Sequence, residues 1–169
     1  MGAGAIGAGV FGGAVLLLAG RKISWDSLEK RGFALWASLL FLGALSLRLY
    51  LGYSSEGFTT DLDTFKSWAN LANSVGFGQI YHEDIFLDYP PGYLYVLVFL
   101  EKLRLLLGLP MESQAYSLLI KMPSILADLF CGGAVLLLAQ RKLGEKSALL
   151  LSGAYLFCPA VFLNSAQWG

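Results

Sequence analysis

One polar stretch carries most of the residues that could do chemistry. It runs from residue 57 to residue 92 of a mostly apolar chain, and Glu56 directly precedes it. With that residue the stretch holds six carboxylates, which are Glu56, Asp61, Asp63, Glu83, Asp84 and Asp88. It also contains Lys66 and the only histidine of the chain, His82. Because a carboxylate can act as a general base toward a hydroxyl group, the stretch is the first candidate for a catalytic site.

Asp61 and Asp63 are separated by a single residue. In a strand or loop their side chains would point the same way, whereas in a helix they would point well apart. Thr59 or Thr60 could cap a helix that begins here. An apolar stripe follows at helical spacing, formed by Phe65, Trp68, Ala69 and Ala72. Two interpretations stay open: the pair belongs to a catalytic site, or both carboxylates only stabilise the positive end of that helix.

The sequence Asp88-Tyr89-Pro90-Pro91-Gly92 predicts a rigid start to the next element. Two prolines after an aromatic residue disfavour helix up to that point, and Gly92 then permits a turn. Such a start is costly unless the positions of Asp88 and Tyr89 matter, so both are candidate binding residues. Prolines also serve in the first turn of an ordinary helix, which is the alternative.

The composition indicates a membrane protein. Hydrophobic residues make up 56% of the chain and charged residues 14%, with a mean hydropathy of +0.62, whereas a soluble domain is about half apolar and a quarter charged. Cys131 and Cys158 lie in apolar runs, so we expect no disulfide framework. No basic stripe is present, which argues against a nucleic-acid partner. The chain stops at NSAQWG directly after an apolar run, and we expect a longer protein.

Four apolar runs are predicted to cross the membrane, over residues 3–19, 33–51, 117–139 and 147–163. The linkers after the first and third runs are basic, with Arg21, Lys22, Lys30 and Arg31 in one and Arg141, Lys142 and Lys146 in the other. The positive-inside rule therefore places both linkers in the cytoplasm. Residues 53–116 then form an extracytoplasmic loop that shares its face with NSAQWG. The predicted fold is a single all-α integral membrane domain, 1–169, with about four transmembrane helices.

The segment 93–107 is hydrophobic but is interrupted by charges at Glu101, Lys102 and Arg104. Its apolar residues recur at helical spacing: Val96, Phe99, Leu100, Leu103 and Leu107. This pattern favours an amphipathic helix that lies in the plane of the outer interface. The alternative is a short charged span, which would put the linker RKLGEK outside.

Three charged residues lie within the apolar segments: Arg48, Lys121 and Asp128. A charge at mid-depth in a bilayer costs roughly 2.5 kcal/mol or more, so each needs a reason to be there. Arg48 and Lys121 are near the predicted outer ends of their spans, where they could reach the interface or bind a lipid-linked phosphate. Asp128 is deep enough to require a partner or a cavity.

Four motifs in order, DLDTFKSWA, LDYPPGYLY, KMPSILADL and NSAQWG, resemble the GT-C superfamily of integral-membrane glycosyltransferases. The chain looks most like bacterial and archaeal relatives of the glycosylphosphatidylinositol mannosyltransferases, and it is also similar to dolichyl-phosphate-glucose glucosyltransferases. The resemblance covers residues 33–169 and leaves the first apolar run, 3–19, unexplained.

The resemblance implies transfer of a hexose, with mannose favoured, from a polyprenyl-phosphate sugar to a glycan, lipid or protein hydroxyl. The reaction would invert the sugar and occur on the extracytoplasmic side of a prokaryotic plasma membrane. Asp61 matches the general base, Asp63 its weaker partner, and Lys121 the basic residue near the donor phosphate. The other candidate binding residues are Lys66, Asp88, Tyr89, Arg48, Gln167 and Trp168. Such relatives continue past QWG, so this stretch alone is expected to be inactive.

No cofactor is expected for this reaction, and nothing in the sequence supports a divalent cation. His82-Glu83-Asp84 could form half of a metal site, but no second half follows at ligand spacing, which favours a solvated turn.

Two other functions remain open. The intramembrane charges Lys121 and Asp128 suit a transporter or flippase subunit, which would carry broken helices at matching positions, with Pro123 as one break. A non-catalytic membrane assembly protein could use the acidic loop only to bind a partner.

Overall fold

The computed structural model describes residues 30–168, with side chains from 32 to 167. The predicted span 3–19 and the basic residues Arg21 and Lys22 lie outside the described residues. The order of the helices is α1 (Lys30–Ser54), α2 (Thr59–Val75), α3 (Pro91–Leu106), α4 (Gln114–Leu143), α5 (Glu145–Leu156) and α6 (Pro159–Leu163). A 3₁₀ turn (Ile80–His82) follows α2, and a π-helical terminal turn (Asn164–Trp168) follows α6. Residues 30–168 contain no strand, so the all-α prediction is confirmed there.

Within residues 30–168, two helices are long and apolar enough to cross a membrane, over Gly32–Ser54 in α1 and Gln114–Leu143 in α4. They contain the predicted runs 33–51 and 117–139. The break expected at Pro123 is wrong, because α4 continues through it. Proline removes one intrahelical hydrogen bond, and packing on both sides holds the helix together here, since Ile120 and Ile125 are both fully buried.

The predicted span 147–163 is not one straight helix. It is divided between α5 and α6, and the helix axes bend by 46° at the break. Pro159 explains the break, because a proline disfavours the helical conformation in the residue before it. Cys158 is accordingly extended, with φ −65° and ψ 122°. The described residues thus hold two straight candidate spans, and a third if the bent pair crosses as one.

The long helices pack side by side with their basic ends together. Phe33 near the start of α1 packs on Leu136 and Ala139 near the end of α4, and Ala148 of α5 joins them. The start of α1, directly after the first basic linker, therefore lies at the same end of the fold as the basic residues that end α4. At the opposite end, Gly52 of α1 lies against Leu118 of α4.

Helices α2 and α3 form a second packed layer at that opposite end. Their apolar side chains form one core with Tyr116 and Ile120, both in the first two turns of α4. The layer thus covers one end of the α1–α4 pair, and the orientation of α3 in the plane of the interface stays a prediction.

The apolar face predicted for α3 is only partly right. Leu100 is buried as expected, but Phe99 and Leu107 are exposed. The inward face instead contains Glu101, because this carboxylate pairs with Arg104 and Tyr116 inside the fold. Glu101 and Arg104 therefore turn toward the protein, whereas the third charge of α3, Lys102, is exposed.

Candidate functional site

The helix that carries the acidic pair is α2, and its start differs from the prediction. Neither Thr59 nor Thr60 caps it; the N-cap residue is Phe58, and no side-chain hydrogen bond caps the helix. Instead the backbone N–H of Phe58 donates to the carbonyl of Gln167 in the terminal turn, at 3.3 Å. The start of α2 and the end of the chain are therefore in contact.

Asp61 lies in the first turn of α2 and Asp63 follows half a turn later, so the two side chains diverge. The Asp61 side chain is half-buried, and its carboxylate makes no hydrogen bond or ion pair with another described residue. Asp63 is exposed and lies 3.9 Å from the Lys66 ammonium. Of the two, Asp61 is the carboxylate without an ion-pair partner among the described residues.

Lys121 joins the end of α1 to the start of α4. Its side chain is fully buried, and its ammonium donates to the carbonyls of Gly52 at 3.1 Å and Ser55 at 3.2 Å. These acceptors lie at the C-terminal end of α1, where the helix dipole favours a cation. An ammonium has three donors, so one N–H is left for another acceptor. No carboxylate among residues 32–167 lies within ion-pairing distance of the Lys121 ammonium.

Lys66 is a second buried cation in the same region. Only 6% of its surface is exposed, and its charge interacts repulsively with that of Lys121. Its ammonium lies 5.9 Å from the ring centre of Tyr116, which is within cation–π range. Its carboxylate neighbour Asp63 is largely exposed, and water weakens such a pair. The two buried ammonium groups therefore repel one another, and no buried carboxylate among residues 32–167 forms an ion pair with either.

Gly57 lies beside the Lys121 ammonium and the terminal turn. Its φ of +73° belongs to the left-handed region, and a Cβ there would collide with the Gln167 carbonyl. The same point is 3.1 Å from both the Lys121 ammonium and a methyl of Leu62. The terminal turn, α4 and the first turn of α2 thus converge on one glycine.

Arg48 does not join this group. It is fully buried one turn earlier in α1, and its guanidinium lies 3.3 Å from the Asp128 carboxylate. It also donates to the carbonyls of Ala44 and Leu156. Asp128 is therefore the residue that neutralises Arg48, which meets the expectation that Asp128 needs a partner.

The prolines of the second motif start α3. Pro90 is the extended N-cap residue and Pro91 is the first helical residue, which is the ordinary alternative. The turn expected at Gly92 is wrong, because that residue is helical. Asp88 is exposed, whereas the ring of Tyr89 packs 5.3 Å from Phe65.

Tyr89 therefore contacts α2, the helix that carries Lys66, whereas Asp88 is exposed. Gln167 reaches the site through its backbone carbonyl. Trp168 ends the π-helical turn, and its side chain lies outside the described residues.

The sequence analysis missed a polar network at the base of this layer. Glu101 is fully buried and accepts two hydrogen bonds from Arg104, at 2.6 and 2.8 Å, and one from the Tyr116 hydroxyl at 2.7 Å. The guanidinium bonds, aided by the tyrosine, hold the pKa of Glu101 below its ordinary value although burial acts the other way. The spacing of three residues between Glu101 and Arg104 is the sequence signal that could have predicted this ion pair. Tyr116 links this network to Lys66.

His82, Glu83 and Asp84 are all exposed. Residues 30–168 contain no group of three or more side chains suited to a metal ion. Comparisons with known protein families, with curated proteins and with solved structures find no match for this chain. The geometry alone suits an anion: two buried cations beside a helix whose first turn presents a carboxylate without a partner among the described residues.

Proposed function

We propose that the chain belongs to an integral membrane glycosyltransferase that transfers a hexose, with mannose favoured, from a polyprenyl phosphate to an acceptor hydroxyl. The observation that carries the proposal is the pair of buried ammonium groups, Lys66 and Lys121, next to the helix that begins at Asp61. A lipid-linked phosphate is an anion at the edge of the bilayer, and charge-assisted hydrogen bonds from lysines suit it.

In the proposed reaction the Asp61 carboxylate takes the proton of the acceptor hydroxyl. The acceptor oxygen forms a bond to the anomeric carbon while the bond from that carbon to the phosphate oxygen breaks. The phosphate leaves with the electron pair, and the lysine ammonium groups stabilise its charge. Attack from the opposite side inverts the sugar. Asp63 would assist only weakly, because it is exposed and faces Lys66.

The proposed location is a prokaryotic plasma membrane, with the α2–α3 layer on the extracytoplasmic side. The two long apolar helices and the shared basic end support this orientation. A donor with a polyprenyl tail would then approach from the bilayer.

Transfer from radiolabelled polyprenyl-phosphate mannose or glucose in membranes with the full-length protein tests the proposal. We expect Asp61→Asn to lower the rate by about 10² to 10⁴, the usual contribution of a general base. Asp84→Asn is the matched control, since it neutralises an exposed carboxylate of the same polar stretch. Equal transfer by the Asp61→Asn and wild-type proteins, at equal membrane expression, would remove Asp61 from the mechanism.

A transporter or flippase subunit is a second candidate, favoured by the break at Cys158-Pro159. Discontinuous helices form binding sites in such proteins, usually in corresponding halves. Helix α4 is continuous through Pro123, so the described residues offer no matching break. Movement of a labelled polyprenyl phosphate across vesicles without sugar transfer would favour this candidate. A non-catalytic assembly role would leave both assays at background.

A further inference from the structure

Gly57 lies where three separate parts of the chain come together. On one side is the carbonyl of Gln167, and on another is the Lys121 ammonium, 3.1 Å from the position of a Cβ. The next residue, Phe58, donates its N–H to the same Gln167 carbonyl. Phe58 is also the N-cap residue of α2, and its own carbonyl accepts the first helical hydrogen bond, from Leu62 at 3.2 Å. The terminal turn is therefore joined to the first turn of α2 through two consecutive residues.

We propose that Gly57 is a positioning residue that sets the first turn of α2, and with it Asp61, against the terminal turn and keeps the Lys121 ammonium covered. The start of α2 lacks a side-chain cap, so the hydrogen bond from Phe58 to Gln167 supplies its anchor. Any side chain at residue 57 must push the Gln167 carbonyl away, because that atom is backbone and cannot rotate aside. The statement about Asp61 rests on the proposed function, whereas the statement about Lys121 does not.

The chain offers a matched control at the other end of the same helix. Gly76 follows α2 with φ +85°, and no atom lies within 4 Å of the position of its Cβ. Alanine at either residue meets the strain of a positive φ, +73° at residue 57 and +85° at residue 76. Only alanine at residue 57 also meets the Gln167 carbonyl, so an effect seen at residue 57 and not at residue 76 reports that contact.

The test is pulse acetylation of the full chain in detergent, followed by mass spectrometry of each lysine. The exposed Lys102 serves as the internal reference. We expect Gly57→Ala to raise the acetylation rate of Lys121 by about an order of magnitude, because local opening uncovers the ammonium, and Gly76→Ala to leave it unchanged. Equal Lys121 rates in the two variants would overturn the proposal.

Amide hydrogen exchange in the wild-type chain tests the same link without any substitution. The N–H groups of Thr59 and Thr60 have no intrahelical partner, whereas that of Phe58 bonds to Gln167. We expect Phe58 to exchange more slowly than both threonines, and equal exchange would overturn the proposal. If Lys121 and Phe58 behave as expected but no form of the protein transfers sugar, the proposed function fails and the positioning role of Gly57 stands.

Discussion

The guanidinium of Arg48 lies 3.3 Å from the carboxylate of Asp128, and the two residues come from the two helices that are long enough to cross a membrane. Arg48 is fully buried, and the Asp128 side chain is 19% exposed. Two further hydrogen bonds, to the carbonyls of Ala44 and Leu156, satisfy more of the guanidinium. The pair therefore joins α1, α4 and the end of α5, and it explains how both charges are accommodated within these apolar helices.

Asp128→Asn should destabilise the protein by about 3–5 kcal/mol, because it leaves the buried Arg48 charge without its counter-ion. The double variant Arg48→Met, Asp128→Leu should recover most of that loss, since it removes both charges and keeps apolar volume. Unfolding in mixed micelles with increasing dodecyl sulfate measures the free energy of unfolding of the single and the double variant. A double variant no more stable than Asp128→Asn would contradict a purely structural role for the pair.

The pair of buried lysines should bind a phosphate. Lys121→Met should weaken the binding of farnesyl phosphate to the protein in detergent by about ten- to a hundredfold, the equivalent of a charged hydrogen bond of about 1.5–3 kcal/mol. Lys66→Met should weaken it similarly, because the Lys66 charge acts on the same region as that of Lys121.

Lys102→Met is the control, since this lysine is exposed on α3. Calorimetric titration measures these affinities. A titration with inorganic phosphate in place of farnesyl phosphate separates recognition of the phosphate from recognition of the farnesyl tail. Unchanged affinity in both buried-lysine variants would exclude the pair as the phosphate site.

Glu101 gives the stability a defined pH dependence. The pKa of Glu101 is lowered in the folded state, chiefly by the Arg104 guanidinium. The contribution of Glu101 to the free energy of unfolding is therefore complete above its unfolded pKa of about 4.3. That contribution is lost as the pH falls through the lower folded pKa. The gap in melting temperature between wild type and Glu101→Gln should therefore be widest near pH 6 and should narrow toward pH 3.

The exposed Glu112 provides the control for this measurement. Glu112→Gln should follow the wild-type melting curve at every pH, since its side chain lies outside the buried network. A gap for Glu101→Gln that widens as the pH falls would reverse the predicted sign.

The sequence predicts the long helices well because apolar runs and terminal signals agree. At α4 the side chain of Ser113 accepts from the N–H of Tyr116 and Gly144 follows the last residue, which are ordinary start and stop signals. The partners of single charges are harder to predict. Arg48 and Asp128 are separated by 80 residues, and only the packing of two helices brings them together.

Local signals existed for two features that were missed. Cys158-Pro159 marks the break between α5 and α6, and the spacing of Glu101 and Arg104 marks an ion pair. No local pattern identifies Gly57, since its role comes from the carbonyl of Gln167, which lies 110 positions later in the chain.

The orientation of the fold can be measured by labelling single cysteines. In a background of Cys131→Ala and Cys158→Ala, an impermeant maleimide should label Asp84→Cys from outside intact cells, because the acidic loop is predicted to be extracytoplasmic. Lys142→Cys should react only in inverted vesicles. Both positions are exposed in the structure, so burial does not limit either reaction. Labelling of both from the same side would contradict a crossing between them.

Alanine substitution at two adjacent glycines of α4 should have different effects on the free energy of unfolding. At Gly132 a Cβ would lie 2.5 Å from a methyl of Leu156, where α5 packs against α4. At Gly133 the nearest atom is 4.0 Å away, on Phe41. Both substitutions gain the same helix propensity, up to about 1 kcal/mol, so the difference between them reports the contact with α5.

Gly133→Ala should be neutral or slightly stabilising. Gly132→Ala should lower the free energy of unfolding by about 1–3 kcal/mol, the usual range for overpacking. It should also lengthen the hydrogen bond from the Ser152 hydroxyl to the Gly132 carbonyl, now 2.9 Å, because α5 must move outward. Unfolding in mixed micelles gives both free energies. Equal effects at the two glycines would mean that α5 does not pack against α4 through Leu156.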